Sequence, residues 1–235
     1  MEWYNYFLSS PTVGVAFEAT RSEIPILEKL AFSFDNSFSL ERPHFSKWIL
    51  EKRGLILCIE LGNISITRRN NINIKHIPGK MPEIEFSDVK KYESVLDNLI
   101  DILADVWEKF CSLNNNSNHS AKRIGMVLNT GMTKEELPPG IVNLLDKQNQ
   151  IWGNNLQDYN FKITRHLKDD DSFFEQCNHS FRGSYSDKGL TELEFDYQFI
   201  FKSHKNLTRK QLVSAINDKK TTALSYFSNF GMKGI

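Results

Sequence analysis

Residues 190–203, LTELEFDYQFIFKS, alternate strongly between apolar and polar side chains. Leu193, Phe195, Tyr197, Phe199 and Phe201 fall on one side of the period, and Glu192, Glu194, Asp196 and Gln198 on the other. Successive side chains of a strand point to opposite faces of its sheet. One face of this strand is therefore buried and the other wet. That pattern belongs to antiparallel sheets, because parallel sheets are covered on both faces and read as continuous apolar runs. The chain must then supply helices to cover one face only.

The rest of the sequence supplies them. Val13–Ala19 reads as a strand and SEIPILEKL as a short helix interrupted by Pro25. GLILCIELGNISITRR reads as a hairpin turning at Gly62-Asn63, where positive φ is tolerated. NINIKHI is a further strand. A long helix is expected from Ser87, a plausible N-cap. Its stripe Tyr92, Val95, Leu96, Leu99, Leu103, Val106, Trp107 and Phe110 has helical spacing. Burying that stripe is worth on the order of 10 kcal/mol before entropy.

The polar stretch NNNSNHS, 114–120, reads as a linker. Beyond it the plan repeats. KRIGMVLNTGM is a strand that Asn129 and Gly131 should stop, and PPGIVNLLDKQ is a short helix with prolines near its first turn. Strands follow around Tyr159–Ile163, over Phe173–Tyr185 and over the alternating segment. A last helix opens with the capping-box spacing of Thr208 and Gln211, runs through Phe227 and Phe230, and ends at Gly231. The expected fold is α+β with two similar halves, each a strand, a short helix, antiparallel strands and a long helix. The helices pack on one face of the sheet. The halves span 1–113 and 121–235 around the linker, with one continuous domain as the alternative.

Composition bounds the function. The 235 residues are 40% hydrophobic and 25% charged, enough for a core without disulfides. Lys+Arg and Asp+Glu both number 29, so the basic excess of a dedicated non-specific nucleic-acid binder is missing. Three cysteines, widely spaced and without C-x-x-C, argue against a disulfide scaffold or a thiolate zinc knuckle. The opening MEWYNYFLSS lacks the basic region of a signal peptide. A cytoplasmic protein without a membrane segment is expected.

Four groups of residues carry candidate chemistry. Glu93, Asp97, Asp101 and Asp105 recur every four residues and stack in one row along the long helix. Their mutual repulsion costs about 1 kcal/mol in sum. The row is either a surface neutralised by water and the chain's own cations, or a docking strip for a basic partner. Arg68, Arg69 and Lys75, with His76, lie near a hairpin end and could grip phosphates; the alternative is an edge strand kept soluble by charge. Cys177 and His179 share one strand face, and His166 could complete three metal ligands. Glu192, Glu194 and Asp196 could hold Mg²⁺ for nuclease chemistry, but acids opposite an aromatic face are also simply the outside of a sheet. No phosphate loop, G-x-S-x-G or H-E-x-x-H motif occurs. No metal, cofactor or catalytic residue is assigned.

Trp107, Arg123-Ile124-Gly125, Asn129, Glu194–Asp196 and Phe227 give the chain, mainly over 89–235, a further property. It resembles a sporadically distributed bacterial family of uncharacterised proteins. The resemblance implies mobile or defence-linked gene neighbourhoods and carries no catalytic residues. The expected function is a non-enzymatic accessory or scaffold subunit of a bacterial multiprotein system, with anti-phage defence as the association. Its expected partner is another subunit with a basic surface, meeting the row Glu93, Asp97, Asp101 and Asp105. A nucleic-acid module using Arg68, Arg69 and Lys75 and a metal-dependent nuclease are the alternatives.

Overall fold

The computed structural model describes residues 10–34, 38–44, 46–69, 71–75, 83–87, 92–113, 120–185 and 191–228. The first half runs β1 (Thr12–Phe17), α1 (Ile24–Phe32), β2 (Ser39–His44), β3 (Lys47–Lys52), β4 (Leu55–Glu60) and β5 (Asn63–Arg68). A separate two-stranded ribbon follows, β6 (Asn71–Lys75) with β7 (Glu83–Ser87), and then α2 (Tyr92–Leu113). The second half runs β8 (Ser120–Met132), α3 (Pro139–Ile151), β9 (Asp158–Asp169), β10 (Phe173–Ser184), β11 (Thr191–Asn206) and α4 (Arg209–Ser228). The fold is α+β, and its halves follow the same plan.

One antiparallel sheet of nine strands spans both halves, in the order β2-β3-β4-β5-β1-β8-β11-β10-β9. Each half is a meander whose last strand returns to pair with its first: β5 beside β1, and β11 beside β8. The halves join where β1 pairs with β8, and there Gly14 faces Gly125. Helix α2 lies over β1 and β5, α1 packs beside it over β3 and β4, and α4 sits over β8 and β11. The covered face carries Val13, Val15, Leu57, Ile64, Met126, Phe195 and Tyr197, all fully buried. Phe17 packs between Trp107 and Phe110, with ring centroids 5.9 and 4.7 Å away. The Trp107 indole N–H donates to the Leu207 carbonyl at 2.8 Å, fixing the entry to α4.

The apolar stripe of α2 is buried as its spacing predicts, from Leu96 to Phe110, and Val95 is half-buried. The Thr208–Gln211 box forms: the Thr208 N–H donates to Oε1 of Gln211, and the Gln211 N–H to Oγ1 of Thr208. Several local expectations are corrected. Pro25 sits in the first turn of α1, where its missing N–H has no helical partner to lose, so it does not interrupt the helix. Ser87 belongs to β7 and α2 is described from Tyr92; the stretch between them, on which the expected N-cap bears, lies outside the described residues. The β4–β5 turn is Leu61-Gly62, with Gly62 alone at positive φ, and Asn63 already pairs with Glu60. The β3–β4 turn, Arg53-Gly54, has both residues at positive φ, the geometry that suits a twisted hairpin. Asn129 and Gly131 do not stop β8, because they continue to pair with Glu194 and Glu192 of β11. The Asn129 side chain is used elsewhere: its Oδ1 accepts from the Ser10 N–H at 2.7 Å. Ser120 already lies in β8, while residues 114–119, Phe230 and Gly231 lie outside the described residues.

The two facing glycines are not equivalent. A Cβ at Gly14 would stand 3.2 Å from the Ser65 Cβ and 3.3 Å from the Ile64 carbonyl oxygen, neither of which can swing away. A Cβ at Gly125 would meet nothing closer than the Tyr197 carbonyl oxygen at 3.9 Å. Gly14→Ala is therefore expected to cost about 1–2 kcal/mol in urea unfolding. Gly125→Ala should be neutral or stabilise by up to about 1 kcal/mol, because only unfolded-chain entropy changes. Equal losses at the two positions would contradict this reading.

Candidate functional site

The second face of the sheet is not covered by any helix described above. At its centre the strands present small side chains, and a trough of about 270 Å³ opens there. Gly14 and Ala16 of β1, Ser65 of β5 and Gly125 of β8 make the floor. The β8–β11 register sets its charged groups. Arg123 lies opposite Ile200, whereas Asp196 lies opposite Val127 and Glu194 opposite Asn129. The levels of Arg123 and Asp196 are four residues apart along β8, about 14 Å at the usual strand rise. A cation thus stands toward one end of the trough and two carboxylates toward the other. Asp196 is fixed by the Asn178 amide at 3.0 Å and the Gln198 amide at 2.6 Å.

The expected carboxylate trio is split. Glu192 accepts from the Arg182 guanidinium, Asp196 from the two amides, and Glu194 faces the trough between them. Among the described residues no three His, Cys, Asp or Glu side chains are grouped to hold a metal ion.

Cys177 and His179 do share the covered face, with Sγ 3.9 Å from Nδ1. His166 pairs with Gln176 and lies against Phe174, on the opposite face, so the three are not brought together. A thiol–imidazole pair acts as a nucleophile only when the thiolate is accessible. Here burial pushes the Cys177 thiol up to about 11. Burial, helped by the Arg165 charge, pulls the His179 imidazole down to about 4. Both groups are neutral and enclosed, and the pair is part of the core.

The covered face holds one polar cluster that periodicity did not single out. Glu175 is 5% exposed, in a row that it shares with Phe173, Cys177, His179 and Phe181. It accepts a hydrogen bond from the Tyr197 hydroxyl at 2.9 Å and an ion pair from Lys219 of α4. The Lys219 ammonium also stands over the rings of Phe199 and Phe173, 4.5 and 5.1 Å from their centroids. Burial, then the bond to Glu175, pushes the Tyr197 phenol far above its usual range. The sequence signal was available: an acid two residues from Phe173 and two from Cys177 stands in a row where burial demands a partner.

The acidic row lies along α2 with all four members exposed. Asp97 pairs with Lys220, and Asp105 accepts from the Arg209 Nε at 2.8 Å. Arg209 also reaches Glu108 at 3.8 Å, and its guanidinium is pushed up by Asp105 first. The cations facing the row thus come from α4 of the same chain. Arg68 ends β5, and the backbone N–H groups of Arg68 and Arg69 donate to the Pro11 and Gly54 carbonyls. Lys75 ends β6 in the separate ribbon; its side chain and His76 lie outside the described residues. No protein-family model matches the chain, and no curated protein matches it.

Two outcomes follow for the covered face. Lys219→Met leaves the Glu175 charge enclosed and should cost about 3 kcal/mol, whereas Glu175→Gln with Lys219→Met should recover most of it, read by urea unfolding. His179 has a folded pKa below its ordinary value of 6.5. Between about pH 6.5 and 4 the unfolded chain therefore binds a proton that the folded chain refuses. Its contribution is fully present above pH 6.5 and declines by roughly 3 kcal/mol as the pH falls to about 4. His179→Leu should flatten the stability–pH curve in that window, and an unchanged slope would remove His179 as the cause.

Proposed function

We propose that this chain is a non-enzymatic accessory or scaffold subunit acting through protein–protein contact, with the sheet face opposite the described helices as its binding surface. The observation that carries this is the trough. Its floor of small side chains lets another backbone approach, and its two ends carry opposite charge. An extended partner segment fits it if an acidic side chain meets Arg123 and a basic one meets Glu194 and Asp196. The amides holding Asp196 in place reduce the cost of ordering that carboxylate on binding. The acidic row of α2 enters this reading mainly as the seat of α4. Glu93 and Asp101, exposed on the same row, are its remainder for a basic partner surface.

No helix of the described residues is long and apolar enough to cross a membrane. The bacterial multiprotein setting, and its link to anti-phage defence, rests on the family resemblance alone.

Two substitutions test the surface. Gly125→Val raises the floor of the trough where there is room for a side chain, and Arg123→Glu reverses its cationic end. Both should melt like the unaltered chain. Affinity purification from the native host should recover a partner with the unaltered chain and lose at least tenfold of it with either variant, as for a contact worth about 1.4 kcal/mol or more. Recovery of the same partner by both variants would rule out this face.

A further inference from the structure

Resting on the trough as the binding surface, we propose that its occupant is an extended peptide segment with an acidic and a basic side chain four residues apart. The side chain midway between them is lowered onto the glycine pair. Three levels of the sheet open into the trough. Arg123 stands at the first, beside Ala16. Gly14 and Gly125 make the second, between Ser65 and Gln198. Val127 and Asp196 make the third, with Glu194 one level beyond. Successive levels are two residues apart, about 7 Å at the usual strand rise. An extended segment laid along β8 has the same rise, and its alternate side chains point to one side. Three of them therefore meet the three levels in step. A helix advances about 5.4 Å per turn and falls out of step with them.

The two end levels select the charges. Among the described residues no carboxylate pairs with the half-buried Arg123 guanidinium, so an incoming acid finds it unpaired. Both amides that hold Asp196 donate to its Oδ2, so Oδ1 has capacity for a further donor. Glu194 is exposed, and a cation at this end meets two carboxylates. A segment with two acids or two bases would meet a like charge at one end, which is how such a surface rejects a wrong partner. The middle side chain enters the space that two absent Cβ groups leave, between a hydroxyl and an amide.

The test measures binding of blocked, fluorescein-labelled heptapeptides to the full chain by anisotropy. Thr-Glu-Thr-Val-Thr-Arg-Thr and its reversed order, Thr-Arg-Thr-Val-Thr-Glu-Thr, both carry the required spacing, and at least one should bind. Thr-Glu-Thr-Val-Arg-Thr-Thr turns its two charges to opposite sides and should bind about tenfold more weakly. Arg123→Glu, with an unchanged melting midpoint, should lose the peptide that binds by about tenfold and regain it when the glutamate of that peptide is replaced by lysine. Equal binding of the two spacings, an Arg123→Glu chain that keeps the glutamate peptide, or no binding of either order up to about 1 mM would each overturn the proposal. Where the peptides fail, loss of the native-host partner by the two trough variants would still leave the face as a surface for a different occupant, and unchanged recovery would remove the face itself.

Discussion

The pairing of β1 with β8 holds the two halves in one body. Each half alone is a meander with an open first strand, and an open strand leaves a row of backbone groups without partners. Joining the two first strands satisfies both rows and lets one set of helices cover one continuous apolar face. Trp107 belongs to the first half and bonds the Leu207 carbonyl of the second, so the helix layer is stitched across the same seam. Gly14 is required at the seam because Ser65 and the Ile64 carbonyl stand too close for a Cβ. Gly125, its neighbour in register, is under no such constraint, and its missing side chain instead deepens the trough on the far face.

Helix α4 is held in a different way from α2. Among the described side chains of α4, Leu212, Ile216 and Ala223 are the fully buried apolar ones, whereas α2 buries a stripe of eight from Leu96 to Phe110 that includes two aromatic rings. Half-buried Val213, Ala215, Leu224 and Tyr226 add apolar contact, and three ion pairs join them: Arg209 to Asp105, Lys220 to Asp97 and Lys219 to Glu175. The first two pairs are partly exposed and contribute little each, as ion pairs in water do. The third is enclosed, where separating the partners is costly. The like-charged row on α2, unfavourable within its own helix, becomes a set of anchors once α4 lies beside it.

Much of the fold was legible because its signals are local. The strict alternation of Leu193–Phe201, the helical spacing of Leu96–Phe110 and the Thr208–Gln211 box each lie within a few turns or strand residues. The misses have local causes as well. Strands β2 and β3 carry charged or proline-containing segments whose alternation is weak, β7 alternates over only five residues, and Arg53-Gly54 makes a hairpin turn without the usual asparagine. Asn129 looked like punctuation because its residue type favours turns. It proved to be a mid-strand acceptor for a backbone group 119 positions away. The candidate site was barely readable: Arg123, Gly125, Glu194 and Asp196 were each noticed, but nothing in their spacing joined them.

By itself the sequence determined which segments become strands and helices and which face of each is apolar, because periodicity acts between neighbours in the chain. It thereby determined an antiparallel sheet covered on one side. Only the tertiary structure decided the strand order, and with it which charges meet. The Arg209–Asp105 bond spans 104 positions and the Lys220–Asp97 bond 123. The trough likewise exists only because β1 lies between β5 and β8. Ladders and ion pairs connect residues whose separation along the chain carries no information about their separation in space, so the site had to wait for the fold.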